Sequence, residues 1–471
     1  MVSILLVNVP SRRATSINII PLGLLYVGSI VEREGHRAKI YDPYLSAVSL
    51  ESFDGGNYSE LDKVLKEFPP DIIGFGGIAS SYGRTKKLSA YIKENCPDAF
   101  QIAGGPLASV YELLLTKTSI NLVFHGETER TLPLFLERFV ANQPYSDIPG
   151  ISTIDHEAII RNPLAPQIEN LDEIPYPAYH LVNLKAYSAD TIDVLSSRGC
   201  THRCSFCYRH MKGHRQHSVA YLVNHIKFLI STYGFRNFGI SDELFNAKRE
   251  WVLDFCEAFE RENVQISFRT SMRADKVDKA MLEKLHSVGC TQINYGHESG
   301  SDIILKEFRK GVDVQTNIAV TFLTRECGIN TPVQVVIGSP SETPETIRET
   351  TDFLIEVCDQ EPSINYLIPF PETPIWQFVI DNELIPDVEK YLDEIAHWGG
   401  SPVLNLTAIP NNVWRTWSFR MKADVRLARL KKEERWIRYA SLWIASKILQ
   451  WGYTFAPDAV IHAIRRRRVY Y

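Results

Sequence analysis

The sequence contains no uncharged apolar run approaching the eighteen or so residues that a membrane-spanning helix needs, so a transmembrane architecture is not expected. Its opening residues, MVSILLVNVPSRR, turn basic after a few apolar positions and offer no small-residue cleavage site, unlike a secretory leader. The chain is therefore expected in the cytoplasm. Cysteine is sparse, eight in 471 residues. In a reducing compartment, those that cluster signal metal binding or catalysis rather than a disulfide framework. Repeats and low-complexity tracts are absent, which excludes a collagen-like chain. With 45% hydrophobic and 23% charged residues, intrinsic disorder is excluded as well. This length allows two or three domains.

What is present falls into segments. Over the first 140 residues SILLVNV, RAKIYD, DIIGFGG, QIAGG and INLVFHGE read as strands, alternating with helical patterns such as LGLLYVGSIVEREGH and YGRTKKLSAYIKENC. That alternation predicts a doubly wound, Rossmann-like α/β domain over 1–142. Such sheets take ligands beyond the carboxyl ends of their strands. There the sequence places GFGGIASS, AGGP and HGETE, making Gly76, Gly77, Ser80, Ser81, Gly104, Gly105, Pro106, Gly126 and Glu127 candidate contacts. Any one glycine would serve equally for a tight turn. Three such loops on one sheet edge favour a site.

Residues 143–188, rich in proline and polar residues, read as a linker. Over 189–405 a second series follows, with TIDVLSS, NFGIS, QISFRTS, QINYGHE, TPVQVVIG and INYLIPF as strands. Six parallel strands separated by helices suit a partial TIM-type (β/α) barrel, whose catalytic groups stand on the loops after the strands. Residues 406–471 read as a basic, aromatic, helical C-terminal region. From Asn411 onward there are fourteen Lys and Arg against four Asp and Glu, together with five of the eight Trp.

Near the start of the second series, SSRGCTHRCSFCYRH sets Cys200, Cys204 and Cys207 at C-x3-C-x2-C spacing. Three thiolates on one loop suit three corners of a cubane iron–sulfur cluster and leave the fourth iron open. Zinc is the rival, with His202, His210, His214 or His217 as a fourth ligand. Core thiols are the third reading, though they call for neither the polar neighbours nor this spacing. Cys96, Cys256, Cys290, Cys327 and Cys358 are scattered and read as small core residues.

The spacing resembles that of the radical S-adenosylmethionine (SAM) superfamily, and the resemblance continues downstream. Phe206 fits the aromatic that precedes the last cysteine, and FGISDELFN resembles the segment that approaches the SAM amino group, implying Ser241, Asp242 and Glu243. SFRTSMRAD puts Arg273 at a usual basic position, and INYGHESGSDIILKEFRKG resembles the G-x-E-S-G-S signature, implying Glu298 and Ser299 near the ribose or amino acid. VVIGSPSETPETI resembles the strand end bordering adenine, implying Gly338. A zinc knot predicts none of this order. The resemblance implies a 4Fe–4S cluster, SAM chelating its open iron, and reductive cleavage to a 5'-deoxyadenosyl radical that takes hydrogen from an unactivated carbon. It also implies an electron donor such as flavodoxin or ferredoxin.

A doubly wound domain ahead of such a barrel resembles the cobalamin-binding (B12) subclass, as do PLGLLYVGSIVEREGHRAKIYD, PDIIGFGG, IAGGP, HGETERTLP and LDEIPYPAYHL. The implied chemistry is methyl transfer to carbon, with cyclisation, ring rearrangement or C–C coupling as the alternative. A first domain that keeps the fold without cobalamin is a further alternative. The loop NVPSRRATSINIIP lacks the histidine that many cobalamin domains supply to cobalt, so no protein histidine ligand is expected; His36, at a helix end, reads as structural. His297 replaces a usual apolar residue and Glu372 a common glycine, making them candidate catalytic groups, a proton acceptor and a polar substrate contact, against ordinary hydrogen-bonded side chains. From another class, a non-catalytic zinc or nucleic-acid-binding protein would carry zinc and would not cleave SAM. The basic tail admits three readings: a nucleic-acid groove, the least favoured of the three for partners; a peripheral contact with an anionic membrane; or a helical lid on the barrel. The substrate is expected to be a small molecule, apolar or lipid-like under the membrane reading.

Overall fold

A computed structural model describes residues 1–11, 19–187, 190–209, 211–396, 403–433, 443–444 and 446–447. Five parallel strands open the chain: β1 (Ser3–Asn8), β2 (Arg37–Tyr41), β3 (Ile72–Gly76), β4 (Phe100–Gly104) and β5 (Leu122–Phe124), in the order β2-β1-β3-β4-β5. Alternate strand residues enter two cores, Leu5, Val7 and Ile73 on one face and Ile4, Leu6 and Ile72 on the other. That is what a sheet covered by helices on both faces requires. The strand order reverses between β1 and β3, and such switch points open a crevice at the carboxyl edge.

Two strands fall within the expected linker. β6 (Ile151–Asp155) and β7 (Ala158–Arg161) form an antiparallel hairpin that extends the sheet from β5. Its turn residues, His156 and Glu157, both have positive φ, 46° and 69°. A type I′ turn needs that backbone, but these residue types do not announce it. Beyond the hairpin, Ile168, Leu171 and Ile174 pack on Tyr26 of the helix Leu22–Arg33.

All six strands expected beyond residue 189 form, and an unexpected short pair lies among them. In chain order they are β8 (Thr191–Val194), the antiparallel pair β9 (Ser197–Gly199) and β10 (His214–Gln216), then β11 (Asn237–Ile240), β12 (Ser267–Met272), β13 (Cys290–Tyr295), β14 (Gln334–Ile337) and β15 (Ser363–Tyr366). One parallel sheet runs β13-β12-β11-β8, and β14 pairs with β15. Isolated bridges, Gln292 to Asn330 and Glu298 to Val335, join the two groups. Among the described residues no ladder joins β15 to β8, so the wall is a partial barrel. Helices separate its strands, and four begin where Ser218, Asp278, Asp313 or Thr343 accepts a first-turn N–H.

The helices Asn411–Trp414 and Trp417–Lys432 press Trp414, Trp417, Met421 and Val425 against Val335, Ile337, Leu354 and Tyr366. This part of the basic region is a packed cover on the β14–β15 side. The remainder, 434–471 apart from 443–444 and 446–447, lies outside the described residues. No described helix is long and apolar enough to cross a membrane.

Candidate active site

The three cysteines stand on the loop between β9 and β10. Those strands close its base, pairing Gly199 with His214, Arg198 with Arg215 and Ser197 with Gln216. Gly199 permits the closure: its φ is 82°, and a Cβ there would lie 2.4 Å from the Gly213 carbonyl oxygen. Within the loop the Ser205 amide donates to the Phe308 carbonyl at 3.0 Å and its hydroxyl to that of Glu307 at 3.1 Å. Phe206 packs against Phe308 with ring centres 4.9 Å apart.

Cys200 and Cys204 are half-buried, and Cys207 is open to solvent at one side; none is in a disulfide. Protein surrounds the sulfurs of Cys204 and Cys207 closely enough that burial raises both thiol pKa values, the latter to about 12, with Glu243 and the neighbouring sulfurs adding to it. Three adjacent free thiols on one loop are a donor set that suits a cationic iron–sulfur core. Among the described residues no three His, Cys, Asp or Glu side chains converge on a single-ion site. Two of the histidines available to zinc are engaged elsewhere: His214 Nε2 with the Leu244 carbonyl at 3.0 Å, and His217 Nδ1 with Asp172 at 3.1 Å. His210 lies outside the described residues.

The residues expected around SAM divide. Ser241 and Glu243, beyond β11, line the cavity described below, and burial raises the Glu243 pKa. Asp242 is a correction. It is buried, accepts the Ser196 and Ser197 amides at 2.7 and 3.1 Å and also the Ser196 hydroxyl, and so fastens the start of β9. Arg273 is likewise committed to protein, bonding Asp275 at 2.8 and 3.0 Å and the Lys310 carbonyl at 2.8 Å. Glu298, at φ 60°, accepts from Lys310 Nζ at 3.0 Å. Ser299 is buried, with its hydroxyl 3.0 Å from that of Thr350 and accepting the Ser301 amide at 3.1 Å. Gly338, at φ 108°, faces Trp414, whose ring would lie 2.6 Å from a Cβ.

His297 is also corrected. It is fully buried, its Nε2 lies 3.0 Å from the Thr321 hydroxyl, its ring packs on Tyr295 and Phe353, and burial pushes its pKa down to about 4. It sits among core side chains and is not part of the cavity lining. Glu372, at φ 65°, lies outside the cavity lining, 3.4 Å from Arg161 of β7 and beside Tyr208 of the cysteine loop.

A cavity of ≈ 460 Å³ opens where the carboxyl edge of the first sheet meets the root of the cysteine loop. Gly76, Gly77, Gly104, Gly105, Pro106, Gly126 and Glu127 line it from the first domain, and Leu195, Arg198, Met211, Ser241 and Glu243 from the second. Ser80 and Ser81, expected here, do not reach it. Their hydroxyls donate to the Ser11 and Val9 carbonyls at 3.3 and 3.1 Å, tying the loop after β3 to the loop after β1. A Cβ at Gly104, Gly105 or Gly126 would meet nothing closer than 3.5 Å, so the missing side chains leave the sheet edge open. Among the described residues no histidine lines the cavity. His125 is turned to the Ser152 hydroxyl at 2.8 Å, and His36 Nδ1 accepts the Val2 amide at 3.2 Å while burial lowers its pKa, against the charged form a helix end favours. The chamber, walled by glycine backbone and apolar side chains such as Leu24, Val27 and Phe124, fits the face of a flat macrocycle such as a corrin and, among the described residues, offers its metal no imidazole.

The sequence does not single out Arg198, Arg215 or Glu129. Arg198 bonds Glu127 at 3.0 Å and Glu129 at 2.6 Å, Arg215 bonds Glu127 at 2.8 Å, and Arg198 also lies 5.3 Å from the centre of the Tyr26 ring. Burial works against the Glu127 charge, but Arg215, the Ile168 amide and Arg198 together hold its pKa below the usual range. The signal is a conjunction of two distant charged motifs, visible only once they meet.

Residues 194–354 match the radical SAM superfamily. That segment is a radical SAM domain. An uncharacterized methyltransferase of Pyrococcus horikoshii is 28% identical to it over 373 residues, 78% of this chain and 79% of that protein. The radical SAM methyltransferase TsrM of Kitasatospora setae, solved with tryptophan and a SAM analogue bound, superposes with a TM-score of 0.67 at 20% identity, covering 81% of this chain and 76% of that one. The cobalamin-dependent SAM radical enzyme OxsB, solved with aqua-cobalamin bound, gives 0.66 at 20% identity, covering 92% and 62%. At these identities the two structures speak for fold, and both likenesses extend well beyond the radical SAM domain.

Proposed function

We propose that this protein is a cobalamin-dependent radical SAM enzyme that functionalises an unactivated carbon of a small molecule, by methyl transfer. The observation that carries the reading is the shared cavity, into which the glycine loops of the first domain and the root of the cysteine loop both open. Cys200, Cys204 and Cys207 would hold the cluster, Ser241 and Glu243 would border SAM, and Gly104, Gly105 and Gly126 would bring backbone against the corrin. When bound, the cluster and SAM supply a 5'-deoxyadenosyl radical and the corrinoid a methyl group. The chain's own contribution is positional: one loop carries the thiols, one sheet edge meets the root of that loop, and apolar walls would keep water from the reacting carbon. Electrons would come from flavodoxin or ferredoxin.

The test is anaerobic reconstitution with iron, sulfide and hydroxocobalamin, followed by reduction in the presence of methyl-labelled SAM. Formation of 5'-deoxyadenosine together with a bound corrinoid spectrum is expected; an iron-loaded protein that forms no 5'-deoxyadenosine overturns the enzymatic reading. Label entering a small molecule of a cell extract separates methylation from cyclisation or rearrangement. Cys204→Ala is expected to reduce 5'-deoxyadenosine to background with loss of cluster iron.

A further inference from the structure

The strands that root the cysteine loop carry an internal conflict. Arg198 and Arg215 sit directly opposite each other in the β9–β10 register. Like charges in that relation repel, and neither guanidinium is well hydrated, their side chains being only 12% and 10% exposed. Nothing else within the hairpin neutralises them. Both turn instead to the first domain, where Glu127 receives one nitrogen from each and Glu129 takes a second from Arg198. Arg215 adds a bond to the Ile168 carbonyl at 2.5 Å, while its Nε and Nη2 are buried without a partner.

Glu127 ends the loop after β5 and Glu129 stands in the first turn of the helix Thr128–Val140 that follows, and Gly126, Glu127 and Glu129 line the cavity together with Arg198. Whatever fills the cavity therefore touches the side chains that hold the cysteine loop closed. We infer that Glu127, Glu129, Arg198 and Arg215 are positioning residues that couple occupancy of the cavity to the set of the cysteine loop. An occupant that orders the loop after β5 and the helix start behind it fixes both carboxylates, and these fix the opposed arginines two residues before Cys200 and beyond the end of the cysteine loop. Asp242 holds the preceding residues, Ser196 and Ser197, from the barrel side. The first domain thus supplies the variable half of the grip and the barrel the constant half. This inference rests on the reading that the cavity takes a corrinoid.

Hydrogen–deuterium exchange of the reconstituted, full-length protein, with and without hydroxocobalamin, tests the coupling. In the wild type the corrinoid is expected to slow exchange in 74–78 and 104–106, which it contacts, and also in 196–216, by at least about fivefold. In Glu129→Gln, 74–78 and 104–106 are still slowed while the effect on 196–216 shrinks to less than about twofold. A merely structural role would change baseline exchange but leave this ligand-dependent difference intact. Should Glu129→Gln misfold, Glu129→Asp keeps the charge, withdraws it by one methylene, and makes the same comparison. Bound corrinoid with no change in 196–216, or the same change in wild type and variant, overturns the inference and leaves the functional reading standing. Absence of any corrinoid spectrum overturns the functional reading and this inference with it.

Discussion

His217, His225 and His297 are buried histidines held neutral by desolvation, with pKa values pushed down to about 4, 3 and 4. An unfolded histidine titrates near 6.5, so below that pH the unfolded chain binds protons that the folded chain refuses. Each of the three therefore contributes stability that is intact above about pH 6.5 and is lost as pH falls toward 4, by about 1.4 kcal/mol per pH unit. Urea midpoints should drop between pH 7 and pH 5, and drop less steeply in His297→Gln; equal pH dependence in both proteins would contradict the assignment. The same variant should keep 5'-deoxyadenosine formation far above the roughly 100-fold loss that removing a general base brings. At this scale the cysteine trio is legible because all three thiols lie on one short loop, between β9 and β10. Asp242, Arg273 and Ser299 are not, because a polar residue at a strand end looks the same whether it turns toward a ligand or toward a backbone amide.

Strands and helices were more transparent than their junctions. Every parallel strand announces itself as a short apolar run between helical periods, but the β6–β7 hairpin is masked by a His-Glu turn where glycine or asparagine would have signalled it. Replacing that turn with Asn-Gly, in His156→Asn/Glu157→Gly, should raise stability by about 0.5–1 kcal/mol in chemical denaturation, since glycine accepts positive φ without a Cβ clash. The barrel strands hold the opposite case. A Cβ on Gly239 of β11 would lie 1.9 Å from Asp193 Oδ1 and 3.4 Å from Arg269 Nε, the pair that reaches across this strand from β8 and β12. Gly239→Ala is expected to cost about 1–3 kcal/mol by overpacking; an unchanged denaturation midpoint would show that Asp193 and Arg269 can part freely.

At the scale of the whole molecule, two α/β units present their carboxyl edges to one chamber. The alternation of strands and helices makes each unit legible, but their apposition depends on pairs such as Arg198 with Glu127, 71 residues apart, which no local pattern encodes. A ligand filling the chamber should therefore stabilise both units together: hydroxocobalamin at about 100 times its dissociation constant adds about 2.7 kcal/mol and should shift a single thermal transition. Two transitions of which only one moves would mean that the units unfold independently. The opposed arginines bear on how such a protein can change over time. A barrel transplanted onto a foreign first domain would arrive with all its cysteines and with two mutually repelling charges at their base. Unless the new neighbour presents an acidic pair at the matching loop, the graft inherits the metal ligands and loses what keeps them still, so the two halves can diversify only as a matched set.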